Sequence, residues 1–169
     1  MCSSDLVVLV NRRNDSSSIS SVTSDNAQGS MEIAQFLVAG KHRHLAYIAG
    51  KESSSTSRDR EVAFVAALQH LGHPAPQREV GHYTFEGAME ATRRLLSSAN
   101  PPDGIFCAND IMALGAINVA REEFGLTPGS DISIVGFDDI ALAAWPGFSP
   151  TTFVQRSEER RVGDEGIYG

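Results

Sequence analysis

The stretch that decides the fold is Asp131-Ile-Ser-Ile-Val-Gly-Phe-Asp-Asp139. Its apolar run stops at a glycine, which is followed by an aromatic ring and two carboxylates. A short β-branched run of this kind is typical of a strand buried on both faces of a parallel sheet. In open α/β sheets, ligands bind beyond the carboxyl ends of the strands. Asp138 and Asp139 are therefore predicted to lie at the mouth of a crevice.

The chain upstream repeats this design, with strand-like and helix-like segments in alternation. Strands are predicted at residues 45–49, 79–83, 104–108 and 132–136, and helices at 26–39, 58–71, 85–96 and 111–124. The alternation predicts a parallel sheet with helices on both faces. For the second helix, the predicted core stripe consists of Val62, Phe64, Val65, Ala67 and Leu68.

Composition limits the classes of protein to consider. The 169 residues have the length of about one domain, and 41% hydrophobic with 21% charged residues is ordinary for a soluble globular protein. A formal net charge of -7 argues against a nucleic-acid-binding module. Cys2 and Cys107 are the only cysteines, which fits a reducing cytosol. His70 and His73 lack a third ligand nearby, so no metal site is predicted.

Both ends of the chain look foreign. DNA encoding residues 2–6 has a reverse complement that, in another frame, encodes Arg156-Ser-Glu-Glu159. This relationship indicates translated sequencing adaptor at residues 1–6 and 156–169. The natural segment is expected to be about residues 7–155, and the ends are excluded from reasoning about the fold.

Polar or aromatic residues recur where the predicted strands end. They are Arg58 and Arg60, Tyr83, Asn109 and Asp110, and Asp138 and Asp139. Since the carboxyl ends of parallel strands lie at one edge of a sheet, this convergence predicts a polar small-molecule site.

Several motifs, in this order and spacing, match a known family. The strongest pair is Asn109-Asp-Ile-Met-Ala-Leu-Gly115 followed by Gly136-Phe-Asp-Asp139, and residues 22–26, 40–50 and 60–64 match as well. On these residues the chain resembles the effector-binding domain of the lactose repressor and galactose repressor (LacI/GalR) family of bacterial transcription regulators. The resemblance covers nearly all of residues 7–155.

The resemblance implies an α/β fold of the periplasmic-binding-protein-like type I class, with two subdomains joined by crossing strands. Residues 7–39 would be part of the N-terminal subdomain, 40–140 the C-terminal subdomain, and 141–155 the crossover segment. It also implies a cytoplasmic homodimer that binds a small effector, expected to be a sugar. Operator DNA would be bound only by a helix-turn-helix domain outside this chain. No cofactor, metal ion or membrane is implied.

The resemblance also implies which residues contact the effector. Arg60 would bind hydroxyls or carboxylates through its paired donors, the alternative being a helix-surface arginine. Asp138 would accept hydroxyl hydrogen bonds, the alternative being a loop cap. Asn109 is expected to serve as an effector ligand, a helix cap or both, and Asp110 mainly as a cap. Tyr83 and Trp145 would either stack on a sugar ring or pack in the core. Thr56 and Asp25 are candidates for the rim of the pocket.

Two other classes of protein are alternatives. A solute-binding protein of a sugar transporter has the same fold, and a secretory signal upstream would favour it. An enzyme using Asp138 and Asp139 as a pair is disfavoured, because adjacent residues of a strand point to opposite faces.

Overall fold

The computed structural model describes residues 8–10, 20–22, 26–137 and 151–153, and the side chains of 26–137. The helices are α1 (Asn26–Ala39), α2 (Ser55–His70), α3 (Phe85–Leu96) and α4 (Asp110–Glu122). The strands are β1 (Val8–Val10), β2 (Ser20–Val22), β3 (Leu45–Ala49), β4 (Gln77–Val80), β5 (Gly104–Cys107), β6 (Ser133–Phe137) and β7 (Thr151–Phe153).

Five strands form one parallel sheet in the order β4-β3-β5-β6-β7, and β1 pairs with β2 in a separate parallel pair. Tyr47 of β3 lies opposite Phe106 of β5 in the register and packs on Phe64 of α2. The next residue, Ile48, points to the other face and comes close to Met112 of α4 beside Gly81. Helices therefore cover both faces of the sheet, which confirms the predicted fold class.

Element boundaries differ from the predicted ones by up to three residues. The helix predicted to begin at residue 58 begins at Ser55, because the Ser54 hydroxyl caps it by accepting from the Ser57 amide. The strand predicted at 79–83 is β4, Gln77–Val80, and the residues after it form a turn.

The predicted core stripe of α2 is partly wrong. Val62 is 68% exposed and Val65 is also exposed, whereas the buried residues are Ser57, Arg60, Phe64 and Leu68. Their spacing of three or four residues defines a single helix face. Because two of the four are polar, hydrophobicity alone could not find this face.

Helix α1 shares its core with the rest of the sheet. It packs along α2, and Ile33, Ala34 and Leu37 are buried in the same apolar cluster as β3 and β5. Helix α1 therefore packs against the part of the chain that follows it. The division of the chain into subdomains, with a boundary between residues 39 and 40, stays a prediction.

At the amino edge of the sheet, one carboxylate joins two connections. Asp103 accepts hydrogen bonds from the backbone amides of Arg43, at 2.9 and 3.1 Å, and of His44, at 3.0 Å. The loop before β5 is thereby tied to the loop before β3.

Candidate effector site

The carboxyl ends of β3, β4, β5 and β6 meet at one edge of the sheet, as parallel pairing requires. The chain leaves this edge at Gly50, Gly81 and Ala108 before entering α2, α3 and α4. Clefts of α/β proteins form at this edge, where strand ends and helix beginnings surround a ligand. Four of the seven predicted site residues lie on the described segments around it: Thr56, Arg60, Tyr83 and Asn109.

Arg60 is a buried charged residue at this edge of the sheet. It is only 3% exposed, although it belongs to the first two turns of α2. Its Nε donates to Oδ1 of Asn26 at 2.9 Å, and its Nη1 donates to the carbonyl oxygen of Ala108, just after β5. A buried guanidinium is tolerated where fixed acceptors satisfy its donors. Arg60 is therefore a cation held in one place at the carboxyl edge.

The face of the Arg60 guanidinium lies on an aromatic ring. Its Cζ is 3.8 Å from the centroid of Phe137, the last residue of β6. Phe137 in turn packs on Phe106, which contacts both Tyr47 and Phe64. An arginine over an aromatic face is attracted by the negative charge of the ring π system. The aromatic cluster therefore contacts one face of the Arg60 guanidinium through Phe137.

Asn109 caps α4. Its side-chain oxygen accepts from the Met112 amide at 3.0 Å, so the structure resolves the predicted choice of cap between Asn109 and Asp110 in favour of Asn109. Asp110 is fully buried, and its carboxylate lies against the backbone of Gly136. A Cβ on Gly136 would stand 2.1 Å from Asp110 Oδ1, so only glycine fits there. Cap and effector roles for Asn109 are compatible, and the effector role stays a prediction.

Tyr83 follows β4 and covers the end of β3. Its ring lies so close to Gly50 that a Cβ there would be 2.2 Å from the ring carbon bearing the hydroxyl. Tyr83 and its neighbour His82 both have φ near +60°, which non-glycine residues seldom adopt. Such strain is typical of functional sites. The Tyr83 hydroxyl is buried and has no hydrogen-bond partner among the described residues.

Thr56 lies in the first turn of α2 and is half-buried. The turn leading into this helix is fixed by Ser57, whose hydroxyl accepts from the Gly50 amide at 3.1 Å. The Tyr47 hydroxyl donates to the Ser57 carbonyl at 3.4 Å, and burial raises the pKa of Tyr47, so this phenol stays protonated. Two hydrogen bonds to Ser57 therefore tie the start of α2 to β3 and to the residue that follows it.

Three predicted site residues, Asp25, Asp138 and Trp145, lie outside the described residues. Two residues that the sequence did not assign to the site, Asn26 and Phe137, contact Arg60. The only sequence feature that could have indicated these two residues is their position beside predicted site residues: Asn26 follows Asp25, and Phe137 precedes Asp138. Among residues 26–137, no group of three or more metal-ligating side chains is present. None of the described helices is both long and apolar enough to span a bilayer.

Comparison with known proteins places this chain in a family. Residues 34–160 match the family described as periplasmic binding protein-like domain. The chain is 34% identical over 141 residues to the probable HTH-type transcriptional repressor ExuR of Bacillus subtilis, covering 82% of this chain and 42% of that protein. It is 32% identical over 145 residues to the HTH-type transcriptional repressor CytR of Escherichia coli, covering 85% and 42%.

Solved structures of transcriptional regulators are also similar to this chain. A LacI transcriptional regulator from a Rhodococcus species superposes with a TM-score of 0.83 at 28% identity, covering 89% of this chain and 56% of that one. The complex of the transcriptional regulator CelR with cellobiose superposes with a TM-score of 0.81 at 29% identity, covering 88% and 46%.

The fold and the cleft edge define a periplasmic-binding-protein-like domain. The chain belongs to the LacI/GalR family and is part of its effector-binding domain. It spans less than half the length of the curated relatives named above, one a transcriptional repressor and the other a probable one.

Proposed function

We propose that this chain is the sensing part of a bacterial transcription regulator and that a small effector binds at the carboxyl edge of its sheet. The observation that carries the proposal is the buried cation Arg60, held by Asn26 and Ala108 where β5 ends. A guanidinium in a fixed position suits the hydroxyl or carboxylate oxygens of a ligand, because its N–H groups lie in one plane and in a fixed geometry.

The proposed ligand is a sugar or a sugar acid. Tyr83 supplies an aromatic surface and a hydroxyl at the same edge, and the CelR relative was solved with cellobiose bound. A phenol hydroxyl and a guanidinium at the same edge of the sheet suit a ligand with many hydroxyl groups. Direct contacts from Asn109, Thr56, Asp25, Asp138 and Trp145 complete the proposed set.

In the whole regulator, effector binding would change the relative populations of two subdomain arrangements, and so the operator affinity of a homodimer. Operator binding itself belongs to a helix-turn-helix domain outside this chain. The named curated relatives, all repressors, weigh against the alternative of a transporter's solute-binding protein.

Calorimetric titration of the chain tests ligand binding. D-galactose, D-ribose, cellobiose and D-galacturonate form the panel, and glycerol and acetate serve as controls that have only hydroxyls or only a carboxylate. We expect one panel sugar to bind in preference to both controls. Absence of binding by every panel member would contradict sugar sensing by this chain.

The DNA upstream of the codon for Val7 tests the regulator assignment separately. A reading frame encoding a helix-turn-helix and a hinge supports it. A secretory signal at that place would instead identify a transport protein.

A further inference from the structure

Glu52 lies in the turn that joins β3 to α2, and two arginines bind it. Arg78 Nη1 donates to its carboxylate at 3.2 Å, and Arg58 Nη1 donates to its backbone carbonyl at 3.1 Å. The turn itself is closed by the Ser54 amide, which donates to the Lys51 carbonyl at 3.0 Å. One residue of the turn is therefore tied both to the helix that follows it and to the edge strand β4.

The Arg78 guanidinium is itself held by a second carboxylate. Its Nε and Nη2 donate to the two carboxylate oxygens of Glu61 on α2, at 2.5 and 3.2 Å. Two parallel hydrogen bonds of this kind fix the plane of a guanidinium, so Nη1 stays directed at Glu52. Arg78 also lies opposite Tyr47 of β3 in the register, which places its side chain on the face of the sheet that α2 covers.

The turn lies at the edge of the sheet where the effector is proposed to bind. Gly50 directly precedes it and lies against the Tyr83 ring. Thr56 and Arg60 follow it in the first two turns of α2. A shift of the turn would therefore move the start of the helix that carries two of the proposed contacts. Contact groups held in advance in their bound positions cost less conformational entropy on binding.

We propose that Arg78 is a positioning residue that, through Glu52, keeps the turn from β3 to α2 closed and thereby strengthens effector binding without itself touching the effector. The part about affinity rests on the proposed function, while the part about the turn does not. The two side chains are 41% and 70% exposed, and an exposed ion pair contributes little to global stability. Opening a single turn requires a much smaller free energy than unfolding the chain, so the pair acts on the turn more than on the whole fold.

The variants for the test are Glu52→Ala and Arg78→Ala, each alone and both together. Glu79→Ala is the matched control, because Glu79 is the neighbouring residue of the same edge strand and pairs with Arg94 of α3 at 2.9 Å. Adjacent residues of a strand point to opposite faces, so the control loses an exposed ion pair on the face away from the turn. Thermal unfolding of each variant shows that the fold persists.

The first readout is hydrogen exchange of the Ser54 amide in the ligand-free chain, followed by NMR, because this amide closes the turn. The Thr84 amide is the internal control, since it closes the corresponding turn before α3 by donating to the Gly81 carbonyl at 3.0 Å. We expect Ser54 exchange to become about two- to five-fold faster in Glu52→Ala and in Arg78→Ala, the scale of an exposed ion pair. Thr84 exchange should not change.

Two further comparisons assign the effect to the ion pair. The double variant should exchange no faster at Ser54 than Arg78→Ala alone, because both changes remove the same contact. Sodium chloride at about 1 M should speed Ser54 exchange in the unchanged chain, because salt screens exposed charges. Unaltered Ser54 exchange in Arg78→Ala, or equal acceleration in Glu79→Ala, would overturn the proposal.

The second readout is affinity for D-galactose, D-ribose, cellobiose and D-galacturonate, each titrated into every variant. We expect binding to weaken about two- to five-fold in Glu52→Ala and in Arg78→Ala, because binding must then close the turn again. Glu79→Ala should bind as the unchanged chain does. Unaltered affinity in a variant with faster Ser54 exchange would also overturn the proposal. If no panel sugar binds the unchanged chain, the proposed function fails, while Ser54 exchange still decides whether Arg78 keeps the turn closed.

Discussion

Arg60 Nε donates a 2.9 Å hydrogen bond to Oδ1 of Asn26, which joins two residues that lie 34 positions apart. Asn26 is the first residue of α1 and Arg60 lies on α2, and both side chains are buried. The contact therefore couples the packing of α1 to the orientation of the cation at the cleft edge. Any change that removes the amide oxygen should affect both stability and binding.

Asn26→Ala is expected to lower the free energy of unfolding by about 1–3 kcal/mol, because it leaves the buried Nε–H without this acceptor. Urea unfolding followed by circular dichroism measures the change. Gln35→Ala, on the exposed side of the same helix, is the control and should stay within about 0.5 kcal/mol. Equal losses in the two variants would mean that the Arg60 contact adds nothing.

Gly50→Ala is expected to displace the Tyr83 ring, since the new methyl would lie 2.2 Å from a ring carbon. Overpacking of this kind costs about 1–3 kcal/mol. The double variant Gly50→Ala/Tyr83→Ala should recover part of that loss, because the clash disappears with the ring. Thermal unfolding of the two single variants and the double variant gives the coupling, and strictly additive losses would refute the close packing.

Asp103→Ala is expected to lower the stability of the fold without changing the affinity for the effector. It removes the carboxylate that accepts from the amides of Arg43 and His44 at the amino edge, so stability should fall by about 1–3 kcal/mol. Affinity for a panel sugar should not change, because this edge is opposite the proposed site. A matching loss of affinity in folded Asp103→Ala would place the effector elsewhere.

Cys107 should resist alkylation while the chain is folded. It is fully buried, and burial, together with the nearby Asp110 carboxylate, raises the pKa of its thiol well above the ordinary value. Raising the pH from 7 to 9 should therefore leave the peptide containing Cys107 unlabelled by iodoacetamide, as judged by mass spectrometry. Labelling should appear in urea, and labelling in the native state would show that β5 opens to solvent.

The parallel sheet could be predicted because its strands carry continuous apolar runs that end at glycine or polar residues. Leu45–Ala49 is an example, since all five residues are buried and the predicted bounds match the observed strand. The bounds of α1 and α3 also match, because Gly40 follows one helix and Thr84 caps the other. Local signals of this type need no knowledge of the tertiary structure.

The buried face of α2 could not be predicted in the same way. Arg60 and Ser57 are buried because Asn26, Ala108 and Gly50 supply their partners, and those residues come from other elements. Hydrophobic periodicity selected Val62 instead, which is exposed. Sequence placed Arg60 in the candidate site, but only the structure shows what holds it.

Effector binding through Arg60 is tested most directly by comparing Arg60→Lys with Arg58→Lys in calorimetric titrations of the panel sugar that the unchanged chain binds. Both arginines lie on α2, but Arg58 is exposed and Arg60 is buried. Lysine keeps the charge and loses the paired donors, so Arg60→Lys should weaken binding at least roughly ten-fold. Arg58→Lys should stay within about two-fold, as expected of an exposed charge. Unchanged affinity in folded Arg60→Lys would contradict a site built around this cation.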